Sequence, residues 1–377
     1  MAQGAAVSDT APLFRPLTVR GLELPNRVVM APMTRSMSPG GVPGDDVRAY
    51  YARRAAADVG LILSEGTTTR RPAASNDPDV PNFHTPEALA GWRGVIDAVH
   101  AAGGRMGPQL WHVGMLRKPG TGPHPDAPSD SPSGLTHKGK AVLPQPTEEE
   151  VQDMAAAYAD AARSAAELGF DCVELHGAHG YLIDQFFWGV MNHRTDRFGG
   201  QDAVGRTAFA AEVVRLTREA VGDLPISFRW SQWKQQLFEE KLTKTPDELE
   251  TFLAPLVEAG VDIIHASTRR FWEPEFPEVD GERGLNLAGW CKKLSGLPTI
   301  TVGSVGLKTD FVRALRRGEG AEAASLDELL RRLDRDEFDL VAVGRALLQD
   351  PGWASKVKAG RLDELADFDP VALETLG

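Results

Sequence analysis

The stretch "TEEEVQDMAAAYADAARSAAELGFDCVELHGAHG", residues 147–180, decides the fold. Thr147 stands three residues before Glu150, which is a capping-box arrangement. The helical pattern that follows stops at Gly169. Immediately after it, "DCVELHG" (171–177) is brief and carries Val173 and Leu175, as a strand buried on both faces should. A helix feeding such a strand is half of a repeating βα unit.

The unit recurs along the chain. "RVVMAPM" (27–33), "GLILSEG" (60–66), "RMGPQLW" (105–111), "ISFRW" (226–230), "DIIHAS" (262–267), "TITVGS" (299–304) and "DLVAVG" (339–344) have the same brief apolar character. Helical patterns separate them, at 45–58, 86–102, 204–221, 246–259, 309–317 and 345–359. Eight strands alternating with helices predict a parallel sheet, and eight is the number that closes a (β/α)8 TIM barrel. An open doubly wound sheet is the competing architecture, but no GxGxxG follows the first strand. The expectation is one domain over 1–377.

Two connections exceed ordinary βα loops. Residues 112–146, after the third strand, are rich in Pro, Gly and Ser, and 268–284, after the sixth, contain "RRFWEPEFPEVDGERG". Both leave the C-terminal end of a strand, where barrels build their sites, and both read as covers over a ligand. Residues 319–338 read as a surface insertion, a helix with solvated charges.

Hydrophobic residues make up 42% of the 377 and charged residues 25%, so a large core is expected. A formal charge of −12 argues against nucleic acid or an anionic membrane as partner. No run approaches the ~20 apolar residues of a membrane span, and "MAQGAAVSDTAP" lacks the features of a secretory signal, so a cytoplasmic protein is expected. Cys172 and Cys291 lie in apolar elements, where buried reduced thiols are expected. No single apolar surface stripe selects an oligomeric state, and a homo-oligomer is compatible with the sequence.

The strand ends carry the chemistry. Gly303 and Ser304 follow the seventh strand, and Gly344 and Arg345 the eighth, a frequent phosphate position in these barrels. Glycine allows close backbone approach, a following helix presents N–H groups, and arginine pairs with phosphate. The plain alternative is two glycine turns and a surface arginine. Arg229, in the fifth strand, needs an anionic partner, either a structural carboxylate or a ligand that gains negative charge. Gln109 and Trp111 share one face of the third strand by period two, and either fill the barrel top or offer an amide and an aromatic wall to a planar ligand. Thr34, just past the first strand, is a turn residue or a hydrogen-bond partner for a ligand carbonyl.

His176 and His179, three apart, fit a metal clamp, a pair of structural histidines, or two donors to one oxygen. A metal needs a third ligand, for which Asp184 is the nearest candidate, and no HExxH pattern is present. Tyr181 follows closely enough to share the same cavity. With an ordinary pKa of about 10 its phenol is protonated at neutral pH and able to donate.

In this order, "LFRPLTVRGLELPNRVVMAPMTR" (13–35), "YYARRAAADVGLILSEGT" (50–67), "PQLWHVG" (108–114), "ELHGAHGYLIDQFF" (174–187), "NHRTDRFGG" (192–200) and "DLVAVGRALLQDPGW" (339–353) resemble the old yellow enzyme family of FMN-dependent ene-reductases, over nearly the whole chain. The resemblance implies FMN as cofactor, NADPH or NADH as hydride donor and a small activated alkene as substrate. It matches Thr34 to the residue bonding the flavin C4 carbonyl, Gly66 to a glycine beside the ring, and Gln109 to the amide at the pyrimidine edge. Arg229 matches the arginine near flavin N1, and Gly303, Ser304, Gly344 and Arg345 match the phosphate contacts. His176 and His179 match the pair that binds the substrate oxygen, with Trp111 beside them, and Tyr181 matches the proton donor. Many members have asparagine where this chain has His179. Met115 replaces an arginine common after "HVG", while Arg206 keeps the arginine of the segment after the Gly-Gly turn. A flavin-binding sensor or carrier without turnover, and a metal-dependent barrel hydrolase using the histidine pair, are the alternatives from other classes.

Overall fold

The computed structural model describes residues 9–312 and 317–377. A short antiparallel hairpin, β1 (Leu17–Val19) and β2 (Leu22–Leu24), precedes the barrel strands β3 (Val28–Met30), β4 (Leu61–Thr68), β5 (Met106–Trp111), β6 (Val173–His179), β7 (Ile226–Lys234), β8 (Ile263–Ser267), β9 (Thr299–Val302) and β10 (Leu340–Val343). β3 to β10 pair in chain order and close where β10 meets β3, with every ladder parallel. The eight predicted strands are the eight of the barrel. Their C-terminal ends therefore share one rim, the face on which such barrels place their sites.

The helix Glu148–Leu168 shows how local signals build the outer layer. Its Thr147 hydroxyl accepts from the Glu150 amide at 3.2 Å, and the Glu150 carboxylate accepts from the Thr147 amide at 2.7 Å. Gly169 ends it at φ 82°, a left-handed conformation that glycine adopts without strain. The buried face carries Val151, Met154, Ala155, Tyr158, Ala162 and Ala165 at helical spacing, against the main core. Beneath the strands, the hairpin residues Val19, Leu22 and Leu24 form one cluster with Leu61, Ile263, Ile300 and Leu340, which lie at the starts of barrel strands. The hairpin thus packs on the N-terminal end of the barrel.

Two expectations change in detail. The helix predicted at 345–359 is two pieces, Arg345–Gln349 and Trp353–Lys358, because Pro351 forces the preceding Asp350 into extended backbone (φ −138°, ψ 102°). The segment 319–338 contains the helix Asp327–Asp334, but its Leu329, Leu330 and Leu333 are buried. Arg332 is buried too, donating to the carbonyls of Trp272 and Gly284 at 3.0 and 3.2 Å and to Glu337 at 2.7 Å, so this helix props up the 268–284 loop. The helix expected at 309–317 lies partly outside the described residues. Cys172 and Cys291 are free and buried. Among the described residues no helix is long and apolar enough to cross a membrane.

Candidate active site

β6 and β7 set the geometry of the rim. Residues three apart on a regular strand point to opposite faces. The register between β6 and β7 shifts between Gly177 and His179, and His179 takes φ 66°. Such an irregularity re-aims a side chain, and it brings His179 back beside His176. The two ring centroids lie 5.0 Å apart and nearly perpendicular. Tyr181 sits 5.0 Å from His176 and 6.5 Å from His179. The rings of Trp111 and Tyr181 are nearly perpendicular, with centroids 5.2 Å apart.

Both imidazoles are held neutral. Burial, and next the charge of Arg229, push His176 down to about 3 and His179 well below the usual range. The Ala178 amide donates to Nδ1 of His176 at 3.3 Å. Burial raises the Tyr181 pKa, so the phenol keeps its proton. The amide of Gln235 donates to the Tyr181 oxygen at 2.9 Å and leaves that proton unused. Asp184, the nearest sequence candidate for a metal ligand, is turned away. It accepts from the Gly180 amide at 2.6 Å and pairs with Lys234 at 2.7 Å.

Below the histidines lies a buried polar layer. Glu174 accepts from Gln109 Nε2 at 2.8 Å and Ser227 Oγ at 2.8 Å, and meets His265 Nδ1 at 2.7 Å. Burial alone would raise its pKa, but His265, Arg229 and Ser227 together hold it at about 2. This carboxylate fixes which way the Gln109 amide points, because its NH2 group must face Glu174. The other N–H and the carbonyl of Gln109 are left for a ligand.

Arg229 is 7% exposed, donates to Ser267 Oγ at 3.2 Å, and has a buried Nε with no acceptor among the described residues. Burial lowers its pKa, opposed by Glu174. The strand predicted at 226–230 runs on to Lys234, so Arg229 lies in the middle of β7 and not near its end.

On the other side of the rim, β9 and β10 are neighbours, so Gly303, Ser304, Gly344 and Arg345 come together, with Arg345 Nη2 3.5 Å from Ser304 Oγ. Arg345 donates to the carbonyls of Asp310 and Thr309, and has no carboxylate partner among the described residues. Burial lowers its pKa to about 10, opposed by Asp310. A side chain at Gly303, where φ is 137°, would strike the Thr268 carbonyl at 2.7 Å. At Gly344 it would reach the Met33 sulfur at 3.3 Å. Thr34 is exposed on the rim and its hydroxyl has no partner among the described residues. Gly66 serves a neighbour: a Cβ there would press on the Trp111 indole at 3.2 Å, so its absence seats that ring.

These residues fit FMN by their own chemistry. A carboxylate-free arginine among tight glycine turns suits a phosphate. A buried arginine with an unused N–H and an oriented amide suit the polar edge of a flavin ring. Comparison with known proteins settles the family. The model of the NADH:flavin oxidoreductase / NADH oxidase family matches residues 12–364.

The chain belongs to this family.

Among its relatives are flavin oxidoreductase hxnT of Emericella nidulans, 33% identical over 381 residues that cover 97% of this chain and 94% of the relative. Another is 12-oxophytodienoate reductase 2 of Arabidopsis thaliana, 36% identical over 366 residues that cover 92% and 89%. The solved structure of morphinone reductase in complex with tetrahydroNAD superposes with a TM-score of 0.75 at 29% identity, covering 96% and 93%. The protein is thus an FMN-dependent NAD(P)H oxidoreductase of the old yellow enzyme type.

Several members of this old yellow enzyme site escaped the sequence reading. Ser267 accepts from Arg229 and lies 2.8 Å from His179 Nε2. Trp233 stacks on His179 with centroids 4.5 Å apart and donates from its indole to the Ser267 carbonyl at 3.0 Å. Period two from Arg229 marks Ser231 and Trp233, and period two from His265 marks Ser267. Ser231 and Trp233 lie beyond the predicted 226–230 strand, and Ser267, the last residue of the predicted 262–267 strand, carries no feature that marks it as part of a site.

Proposed function

We propose that the protein reduces the carbon–carbon double bond of an alkene activated by a carbonyl or nitro group. His176 and His179 hold the activating oxygen, and Tyr181 protonates the α-carbon. The observation that carries this reading is the meeting of two neutral imidazoles with a protonated phenol, all within 6.5 Å centroid to centroid. FMN, when bound, would supply the hydride-transfer chemistry that links NADPH or NADH to the β-carbon. Gln109 and Arg229 would hold its polar edge, Thr34 a ring carbonyl, and Gly303, Ser304, Gly344 and Arg345 its phosphate, with Gly66 acting through the Trp111 wall.

The chain's own residues supply the rest. Negative charge gathers on the activating oxygen as the double bond is reduced. Two fixed N–H donors aimed at it bind that charge more strongly than the neutral substrate, which is the kind of contact that speeds a reaction. Neutral imidazoles serve here as donors, with no proton transfer asked of them. Tyr181 is oriented by Gln235 and keeps its hydroxyl proton for the carbon that must receive one. Trp111, edge-on to Tyr181, forms a wall of the substrate cleft. The loops 112–146 and 268–284 cover it within a single domain. The first is tied down by Asp130, which meets His112 at 2.8 Å and Arg71 at 2.5 Å.

The test is steady-state NAD(P)H oxidation by the FMN-loaded protein with a panel of enones, nitroalkenes and maleimides. Turnover with at least one class is expected. Tight FMN binding with no alkene consumed would leave a flavin-binding carrier in its place.

A further inference from the structure

We infer that Ser267 is a positioning residue that fixes His179 with its proton on Nδ1, so that the two histidines reach one oxygen through opposite ring nitrogens, Nε2 of His176 and Nδ1 of His179. The inference rests on the proposed role of the pair and adds the device that orients it.

For His176 the assignment is direct. A backbone amide can only donate, so the Ala178 N–H at 3.3 Å makes Nδ1 an acceptor. A neutral imidazole carries one proton, which then sits on Nε2.

For His179 the decision lies with the serine. Nε2 is 2.8 Å from Ser267 Oγ, and Nδ1 has no partner among the described residues. A hydroxyl has one proton and two lone pairs. Arg229 Nη2, 3.2 Å away, has no lone pair to offer and takes one of them. If His179 also donated from Nε2, both lone pairs would be used and the serine proton would need a third partner. Ser267 is 2% exposed, and its hydroxyl meets only Arg229 and His179 among the described residues. Leaving a buried hydroxyl proton unbonded shifts the balance by about tenfold or more. The serine therefore donates to Nε2, and the histidine proton goes to Nδ1. Donation from the arginine cation makes the hydroxyl a stronger donor in turn.

Two contacts hold the ring plane and the backbone that carries it. Trp233 stacks on it with an interplanar angle of 24°, and is itself held by the Ser267 carbonyl. The His179 amide donates to Ser231 Oγ at 3.0 Å. One residue of β8 thus holds three things in place: the arginine side chain, the indole and the histidine tautomer.

The experiment uses FMN-loaded protein with 15N-labelled histidine, its long-range proton–nitrogen spectrum assigned with His176→Asn and His179→Asn, together with calorimetric binding of phenol. The wild type should show Nε2 of His179 unprotonated and Nδ1 protonated, with the reverse at His176. Ser267→Ala should move His179 toward the other tautomer and weaken phenol binding about tenfold, while Ser267→Thr, which keeps the hydroxyl, should leave both unchanged. A proton on Nε2 of His179 in the wild type overturns the inference, even if Ser267→Ala does not fold. So does a Ser267→Ala protein with wild-type tautomer and affinity. Wild-type protein that ignores phenol would count against the donor pair itself, and the spectrum would still decide the role of Ser267.

Discussion

Lys234 Nζ and the Asp184 carboxylate meet at 2.7 Å with neither side chain exposed to solvent. The same carboxylate accepts the Gly180 amide, one residue before Tyr181. Burial raises the Asp184 pKa, and the lysine opposes that rise. Removing one partner strands the other charge, at a cost of about 3–5 kcal/mol. Lys234→Met should therefore lower the urea unfolding free energy by about that amount. The double change Asp184→Leu with Lys234→Met should lose less than the two single changes summed. A Lys234→Met protein as stable as the wild type would contradict the account.

Donation to the substrate oxygen is tested at His176. His176→Ala should slow alkene reduction about a hundredfold, the usual loss for one oxyanion donor, and weaken phenol binding. Stopped-flow traces of each half-reaction give the rates. Flavin reduction by NAD(P)H as fast as in the wild type, beside slow alkene reduction, is the expected pair of results.

Tyr181→Phe removes the proton and little else, since Gln235 is the only hydrogen-bond partner of the phenol oxygen among the described residues. Alkene reduction should slow by about 10²–10⁴-fold, with phenol affinity held. Equal slowing of both half-reactions would argue that the ring is structural.

Arg345 has no carboxylate partner among the described residues, which makes it the best single probe of the phosphate position. Arg345→Met should weaken FMN binding roughly tenfold to a hundredfold, the worth of hydrogen bonds to a charged group. Titration of the stripped protein, followed by flavin fluorescence, measures it. An unchanged affinity places the phosphate elsewhere.

The buried histidines give stability a pH dependence of known sign. In the unfolded chain His176 takes up a proton near pH 6.5, but in the folded chain only near 3. Between those values unfolding takes up a proton, so stability is present above the unfolded pKa and falls on acidification, by about 1.4 kcal/mol per pH unit. Burial lowers His179 and His265 in the same direction. Asp184, raised to about 6, and Glu65, raised to about 7, act in the opposite direction over the same range, so the histidine share is read as the difference between wild type and His176→Asn: the wild-type urea midpoint should lose more between pH 7 and about pH 5.5. Equal losses in the two proteins would mean that the His176 ring is protonated when folded.

The barrel was legible because its strands are buried on both faces and its helices carry strong end signals, as Thr147, Glu150 and Gly169 do. The β1–β2 hairpin was missed, although Arg20 (φ 45°) and Gly21 (φ 81°) form a two-residue turn of the kind that hairpins favour. Its three-residue strands are too short for a period to show. The rim residues were found where an unusual side chain ended an apolar run, as at Arg229 and His176. Ser267 and Glu174 were not, because a serine or a glutamate in a strand carries no mark of what it will face across the barrel. The placing of His179 beside His176 runs against simple strand alternation and depends on a register shift that only the folded ladder reveals.

The left-handed backbone at residue 179 also acts as a filter on inheritance. Among side chains other than glycine, that conformation favours asparagine, aspartate and histidine. Of these only histidine and asparagine offer an N–H to an oxygen that gathers charge. Histidine and asparagine at position 179 would then form a two-letter alphabet written by the main chain. A substitution at this position chooses between two shapes of donor, and a new chemistry there would first require a new turn.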